Sequence, residues 1–527
     1  MSGTVRNILF IMMDQLRWDY LSCYGHPHLH TPNIDRLARE GLRFDRAYVQ
    51  SPVCGPSRAC FYTGRTTFSH GSTWNRVPLP IGEYTIGDYL RPHGVRCAVI
   101  GKTHMVPDPD LSGRFGLTPD TEIGVVLAEP GFEPYDRDDG IHTDAMVRAK
   151  PGLRYNTWLN QQGYPGENPW QAYANSALGE NGEVLTGWSM RNCRLPARVE
   201  ERHSETAYMT DRAIEFIAET GETPWLLHLS YIKPHWPYMA PAPYHDMYGP
   251  ESFLPVVRSE GERRDPHPVF RAFMEMDVSK TFAADGVREA ILPAYMGLIK
   301  QIDDHLGRLY AALEASGRLD HTLIVVTSDH GDYLGDHWLG EKELFHEQSM
   351  RVPLIIRDPR ASADATRGTV TTAFAEAIDL LPTFLDALGI AVPRHRIEGR
   401  SLDPLLSGAT PADWRDYAFS EIDYSFYQAG ETLGVDLSSA RAYAIRTERW
   451  KYTHFKGFRP QLYDLAEDPQ EFRDLGANPE HGAVLGEMQA RLLDRLTDRR
   501  NRVTVPDEAI PAMRPHRGTR GIRIGEW

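Results

Sequence analysis

Five short runs rich in β-branched residues and bounded by turn residues constrain this fold most: residues 7–13, 95–100, 225–232, 322–327 and 352–356. Their length suits strands, and their near-continuous apolar character suits strands buried on both faces, as in a parallel sheet. Helical patterns lie between them. Ile291, Tyr295, Leu298, Ile302, Leu306, Leu309 and Leu313 form one apolar stripe that stops at Gly317. Thr31 and Pro32 read as an N-cap and first helical position, with Gly41 closing that helix, and residues 373–388 read as a further apolar helix. Strands alternating with helices give an α/β fold class: a large, mostly parallel central sheet flanked by helices. Two regions break this rhythm. Residues 105–200 are rich in Gly, Pro, Asp and Trp without a period, as suits a loop-rich insertion around a site mouth. Beyond residue 404, strands over 442–446 and 450–455 and a helix over 482–499 predict a smaller C-terminal α+β domain. The expected organisation is a large α/β domain over 1–403, the C-terminal domain over 404–500 and an arm over 501–527.

The 527 residues suffice for a large core and exclude a disulfide-stapled mini-protein. Fifty-seven Lys and Arg against 72 Asp and Glu leave a net charge of −15, which argues against non-specific gathering of nucleic acid or anionic lipid. An anionic substrate would need positive charge concentrated at its site. The five cysteines, Cys23, Cys54, Cys60, Cys97 and Cys193, form no CxxC pairs and read as reduced thiols. The only apolar run near the start is cut by Asp14, and no stretch approaches the roughly 20 apolar residues of a membrane span. The expectation is a cytoplasmic protein without a membrane partner.

The first strand runs into Asp14-Gln15, and the strand over 322–327 runs into Ser328-Asp329-His330-Gly331. In an open parallel sheet, ligands sit beyond the carboxyl ends of the strands, so these two tips can converge on one ion. Asp14, Gln15 and Asp329 supply hard oxygens and His330 a nitrogen. That mixture suits Mn²⁺, is compatible with Ca²⁺ or Mg²⁺, and is poor for structural zinc. Cys54 stands directly before Gly55-Pro56-Ser57-Arg58, where a helix opens. The positive helix end and Arg58 both favour an anionic nucleophile there.

The run from Cys54 through Arg58 to Thr63-Gly64-Arg65 resembles the signature of type I sulfatases in the alkaline phosphatase superfamily. In that family the cysteine is oxidised after translation to formylglycine (3-oxoalanine). Residues 7–15, 31–35, 328–331, 378–383 and 399–402 are similar to family landmarks in the same order, so the resemblance spans nearly the whole chain and implies an alkaline-phosphatase-like sandwich. Gln15 and His330 depart from the commonest sulfatase metal set and resemble choline sulfatases and, more closely, phosphonate monoester hydrolases. His330 tilts the metal from Ca²⁺ toward Mn²⁺ without deciding it.

Lys102 and His104 follow the strand over 95–100 and, if the extended geometry continues, point the same way. The resemblance to arylsulfatases implies that such a pair clamps the sulfate oxygens, whereas phosphonate hydrolases tend to carry hydroxyl residues there. His235, in Pro234-His235-Trp236-Pro237, resembles the family's group near the leaving oxygen. Lys342 matches the family lysine that bridges substrate oxygen and leaving group, and Asn75 is a candidate for a non-bridging oxygen. Asp332, Asp336 and His337 read as turn formers in a Gly-rich loop. The implied chemistry is hydrolysis of a small anionic sulfate ester, arylsulfatase-type, with phosphonate monoester or phosphodiester hydrolysis as the alternative within the fold and a non-catalytic binding protein on the same fold as the rival from another class. Formylglycine hydrate at Cys54 attacks sulfur, His235 or Lys342 gives a proton to the alcohol, and His104 or a neighbour releases the anion by deprotonating the second hydroxyl. The implied partners are a formylglycine-generating enzyme and, through the C-terminal segments with Arg514, Arg517, Arg520 and Arg523, further copies in a homodimer or homotetramer.

Overall fold

A computed structural model describes residues 4–514 apart from 119, 120 and 151. The basic positions Arg517, Arg520 and Arg523 of the expected arm lie outside the described residues. The central sheet has eight strands: β1 (Asn7–Asp14), β2 (Leu42–Phe44), β3 (Arg96–Gly101), β4 (Glu133–Arg137), β5 (Trp225–Pro234), β6 (Thr322–Ser328), β7 (Leu354–Arg357) and β8 (Thr369–Thr371). Their spatial order is β8-β2-β7-β6-β1-β5-β3-β4. β1 lies between β5 and β6, parallel to both, with Met13 opposite Ser328. The alternation of β1 places Ile8, Phe10 and Met12 in one core and Leu9, Ile11 and Met13 in the other. The Cys54–Thr63 and Leu380–Ala387 helices cover the first face; Glu205–Glu219 and Val287–Ala315 cover the second. Among the described residues, no helix is long and apolar enough to cross a membrane.

Three sequence expectations need correction. The run over 352–356 forms β7, but antiparallel to both β6 and β2. Between it and β6 lie only a short turn and the one-turn helix Glu347–Met350, and the chain turns back through residues 329–353, as an antiparallel neighbour allows. The helix expected over 373–388 begins only at Leu380, after an extended pair and a turn. Asp379 explains the break: its carboxylate accepts from the Glu376 and Arg400 amides and pairs with Arg415. The region 105–200 is less irregular than its composition suggests, because Glu133–Arg137 joins the sheet as its edge strand. Its polar residues and Pro134 hid it, and proline is tolerated at an edge.

The C-terminal region is a four-stranded antiparallel sheet, Tyr417–Asp423, Arg441–Thr447, Trp450–Phe455 and Gln461–Asp464, with the Gly482–Thr497 helix on one face. Ala418, Ile422, Ala442, Ala444 and Phe455 pack into the main core, so this sheet is welded to the layer on the first face of the central sheet. His267 helps to fasten the two. Its Nε2 donates to the Arg459 carbonyl at 2.7 Å, its Nδ1 accepts from the Val269 amide, and its ring lies over Phe455. Burial pushes this imidazole down from 6.5 to about 4. Below pH 6.5 the unfolded chain therefore takes up the proton first, and the stabilisation is lost progressively toward pH 4. The thermal midpoint of the parent should fall over that window, and His267→Gln, which has no proton to gain, should fall less steeply. Parallel slopes for the two proteins would contradict the neutral buried imidazole.

Candidate active site

The site forms where β1 and β6 end beside the first turn of the Cys54–Thr63 helix. Pairing with β5 shifts register between Met13 and Asp14, and Gln15 then turns in the left-handed region (φ 64°), so the chain leaves the sheet at Asp14. A non-glycine residue in that region is held there by its surroundings, a common feature of functional sites. Here the Gln15 amide donates to Asp329 Oδ1 at 3.0 Å, and the Leu16 amide to Ser328 Oγ at 3.0 Å. The two strand tips are thus tied to each other before any ligand is considered.

Asp14, Cys54, Asp329 and His330, all buried, bring ligand atoms within 4.8 Å of one another. His330 Nδ1 is turned to the Gly331 carbonyl at 2.8 Å, which directs Nε2 inward, 3.2 Å from Cys54 Sγ. This is the arrangement in which a histidine ligates a metal through Nε2. Asp14 Oδ1 is buried and accepts no hydrogen bond. A buried carboxylate oxygen without a donor is costly, and a divalent cation would satisfy it. The donor set therefore fits such an ion, with oxygens and one imidazole as hard and intermediate ligands.

Cations surround these acids. Arg58, fully buried, reaches Asp14 Oδ2 and Asp329 Oδ2, both at 3.0 Å, and donates to the Lys102 carbonyl and Ser230 Oγ. Lys102 Nζ is 2.6 Å from Asp14 Oδ2. Lys342 Nζ donates to Gln15 Oε1 at 2.8 Å and to His235 Nε2 at 3.2 Å. Burial alone would push the Cys54 thiol up, yet Lys102, Lys342 and His330 hold it well below the usual range. Burial likewise opposes the charge of Asp14, and Lys102 overcomes it, keeping that carboxyl low. Asp329 moves the other way, raised by burial and by the neighbouring Asp14.

The structure thus brings Asp14, Gln15, Cys54, Arg58, Lys102, His235, Asp329, His330 and Lys342 together. Asn75 lies at the rim, its Oδ1 accepting from the Gly55 amide at 2.8 Å. His104 also reaches toward Cys54, but not by strand alternation. The strand stops at Gly101, and His104 takes φ 56° with its amide on Asp139 at 3.0 Å. Sequence reasoning missed the support that Asp332 supplies. Its carboxylate accepts from Gln15 Nε2 at 2.5 Å and from the Tyr238 hydroxyl at 2.9 Å, fixing the Gln15 amide with its oxygen toward Lys342. Asp336 and His337 are structural, paired with Arg17 and Glu262 respectively. A second group, the buried Asp138 and Glu205 with the partly buried His142, lies near Lys233, whose ammonium is 3.9 Å from Glu205.

Comparison with known proteins agrees with this geometry. The family model described as Sulfatase matches residues 6–390, and one described as N-sulphoglucosamine sulphohydrolase, C-terminal, matches residues 335–498. A multifunctional alkaline phosphatase superfamily protein of Trinickia caryophylli is 32% identical over 519 residues, covering 93% of this chain and 95% of that protein. An arylsulfatase of Clostridium perfringens is 28% identical, covering 94% and 95%. The solved phosphonate monoester hydrolase of Silicibacter pomeroyi superposes with a TM-score of 0.81 at 29% identity, covering 94% of this chain and 96% of that one. With a family match over most of its length and a metal-ready acid cluster at the tip of its signature helix, the chain belongs to the sulfatase family.

Proposed function

We propose that this protein hydrolyses sulfate monoesters in the arylsulfatase manner, and that phosphonate monoesters and phosphate diesters are slower substrates of the same site. The observation that carries this reading is the pair of buried ammonium groups, Lys102 and Lys342, that converge on Cys54 and its acidic neighbours. A sulfate monoester brings one negative charge spread over three non-bridging oxygens, and fixed cations in a water-poor site stabilise that charge as it shifts toward the leaving oxygen. Formylglycine at Cys54 would supply a geminal diol as nucleophile, and one divalent ion, Mn²⁺ or Ca²⁺, held by Asp14, Gln15, Asp329, His330 and residue 54, would acidify that nucleophile and polarise the ester.

The remaining steps fall to the protein's own side chains. Lys342 Nζ donates to His235 Nε2 at 3.2 Å, and the Trp236 carbonyl, accepting from His235 Nδ1 at 2.6 Å, keeps Nε2 aimed at Lys342. This pair is placed to protonate the departing alcohol. Lys102 neutralises a non-bridging oxygen, and Asn75, anchored on Gly55, offers its amide NH₂ to another. His104 takes the proton whose removal lets the free anion leave. Arg58 touches no substrate in this scheme and keeps the two acids in register. Maturation by a formylglycine-generating enzyme in the cytoplasm and assembly as a homodimer or homotetramer belong to the same proposal.

A phosphonate monoester hydrolase as main activity is the second reading, favoured by the near-complete overlap with the Silicibacter pomeroyi enzyme, which is so named. Parallel kinetics on an aryl sulfate, an aryl phosphonate monoester and an aryl phosphodiester decide between them. The expected result is the highest kcat/KM for the sulfate. A preference for the phosphonate of about tenfold or more would overturn the first reading and establish the second.

A further inference from the structure

The reacting groups are buried, with Cys54 1% and Lys342 6% exposed, and aromatic side chains border them on two sides. On one side, Asn75 anchors Gly55, and the adjacent Trp74 stacks on Phe426 with centroids 5.2 Å apart and planes 5° from parallel. Tyr427 meets Trp74 edge-on at 4.5 Å, and its hydroxyl donates to the Lys342 carbonyl at 3.4 Å. On the other side, Trp236 follows His235 and lies against its ring at 4.9 Å, and Trp188 meets Trp236 at 6.1 Å. These residues come from four distant parts of the chain, including the loop-rich region and the C-terminal domain. Phe426 and Trp188 are 50% and 36% exposed. Large rings left half in water next to a polar centre forgo their burial energy until something covers them.

We propose that these rings hold the alcohol half of the substrate, with Trp74, Phe426 and Tyr427 as one wall and Trp236 and Trp188 as the other, and that they select a flat, uncharged aromatic alcohol. This specificity site rests on the ester-hydrolase reading above. Ring faces gain by stacking on another ring but offer little to the several hydroxyls of a sugar, each of which needs a polar partner when desolvated. Ring faces also attract a quaternary ammonium, but a cation brought beside Lys102 and Lys342 would need a free carboxylate to answer it. Glu341, beside Trp236, instead has Lys342 as its neighbour in sequence and in charge.

Two leaving groups of matched acidity, a phenol and a fluorinated alkyl alcohol, separate ring recognition from chemistry. Each is made both as the sulfate ester and as the methylphosphonate monoester, and the aryl-over-alkyl ratio of kcat/KM is taken within each series. Phe426→Ala should lower that ratio roughly fivefold, chiefly through KM for the aryl ester, and Phe426→Trp should retain it. Because the ratio is internal to each series, a phosphonate preference would sink the earlier reading while leaving this test intact. A ratio within about twofold of the parent in Phe426→Ala would overturn the proposal. So would an unmoved ratio with a changed elution volume on sizing chromatography, which would assign Phe426 to a contact between copies. A parent preference for a quaternary-ammonium alkyl sulfate over the aryl sulfate would overturn it as well.

Discussion

Arg58→Met is expected to destabilise the protein by about 3–5 kcal/mol, the usual consequence of removing one partner from a buried ionic group. Arg58 has no exposed surface, and neither do Asp14 and Asp329, which it joins at 3.0 Å each. Methionine fills most of the volume but takes from Asp329 its hydrogen-bonded guanidinium, leaving it only the His330 imidazole at 3.6 Å, and leaves Asp14 with Lys102 as its one close ammonium. Arg58→Lys should recover only part of the loss, because one ammonium cannot span two carboxylates while also donating to the Lys102 carbonyl and Ser230. The measurement is the urea midpoint, which reads the fold and not turnover. Asp329→Asn supplies an internal control, since it removes the stranded charge and still lets Oδ1 accept from the Gln15 amide. The Arg58→Met/Asp329→Asn double variant should therefore lose less than the sum of the two single losses. Additive losses, or an Arg58→Met protein within about 1 kcal/mol of the parent, would show that Arg58 does not bind the two strand tips together.

How much of this site was legible beforehand follows from how each residue is placed. Asp14 and Asp329 could be read because position at the carboxyl end of a strand is a consequence of topology, and both strands announce themselves by burial on two faces. Cys54 and Arg58 lie in one contiguous signature on one helix, so their proximity needs no tertiary information. Lys342 and His235 carry no such local signal, and only the resemblance singled them out from ordinary loop residues. Contacts that depend on two distant loops stayed hidden. Asp332 looks like any turn-forming acid until Gln15 Nε2 and the Tyr238 hydroxyl are seen on it. The alternation argument for Lys102 and His104 failed for a definite reason, since the strand ends one residue before Lys102 and the backbone at His104 is left-handed. The direction of β7 was likewise outside the reach of pattern, because a short buried run looks the same whichever way it is traversed.

Cys54→Ala is expected to lower kcat/KM by at least about a thousandfold on every ester the parent hydrolyses, since it deletes the nucleophile and leaves the other groups in place. Its cost in stability should be small, because alanine fills most of the same volume and Cys54 makes no structural hydrogen bond to the main chain in this position. Loss of activity alone does not say which nucleophile was lost. The surroundings would also sustain an ordinary thiolate, for Lys102, Lys342 and His330 stabilise an anion on sulfur. Mass spectrometry of the parent's Cys54 peptide separates the two. Formylglycine replaces sulfur and two hydrogens by one oxygen, and a preparation containing both forms should show activity proportional to the modified fraction. A fully active enzyme whose Cys54 is entirely thiol would rule out the geminal diol, and the same cations would then have to be explained as partners of a sulfur nucleophile.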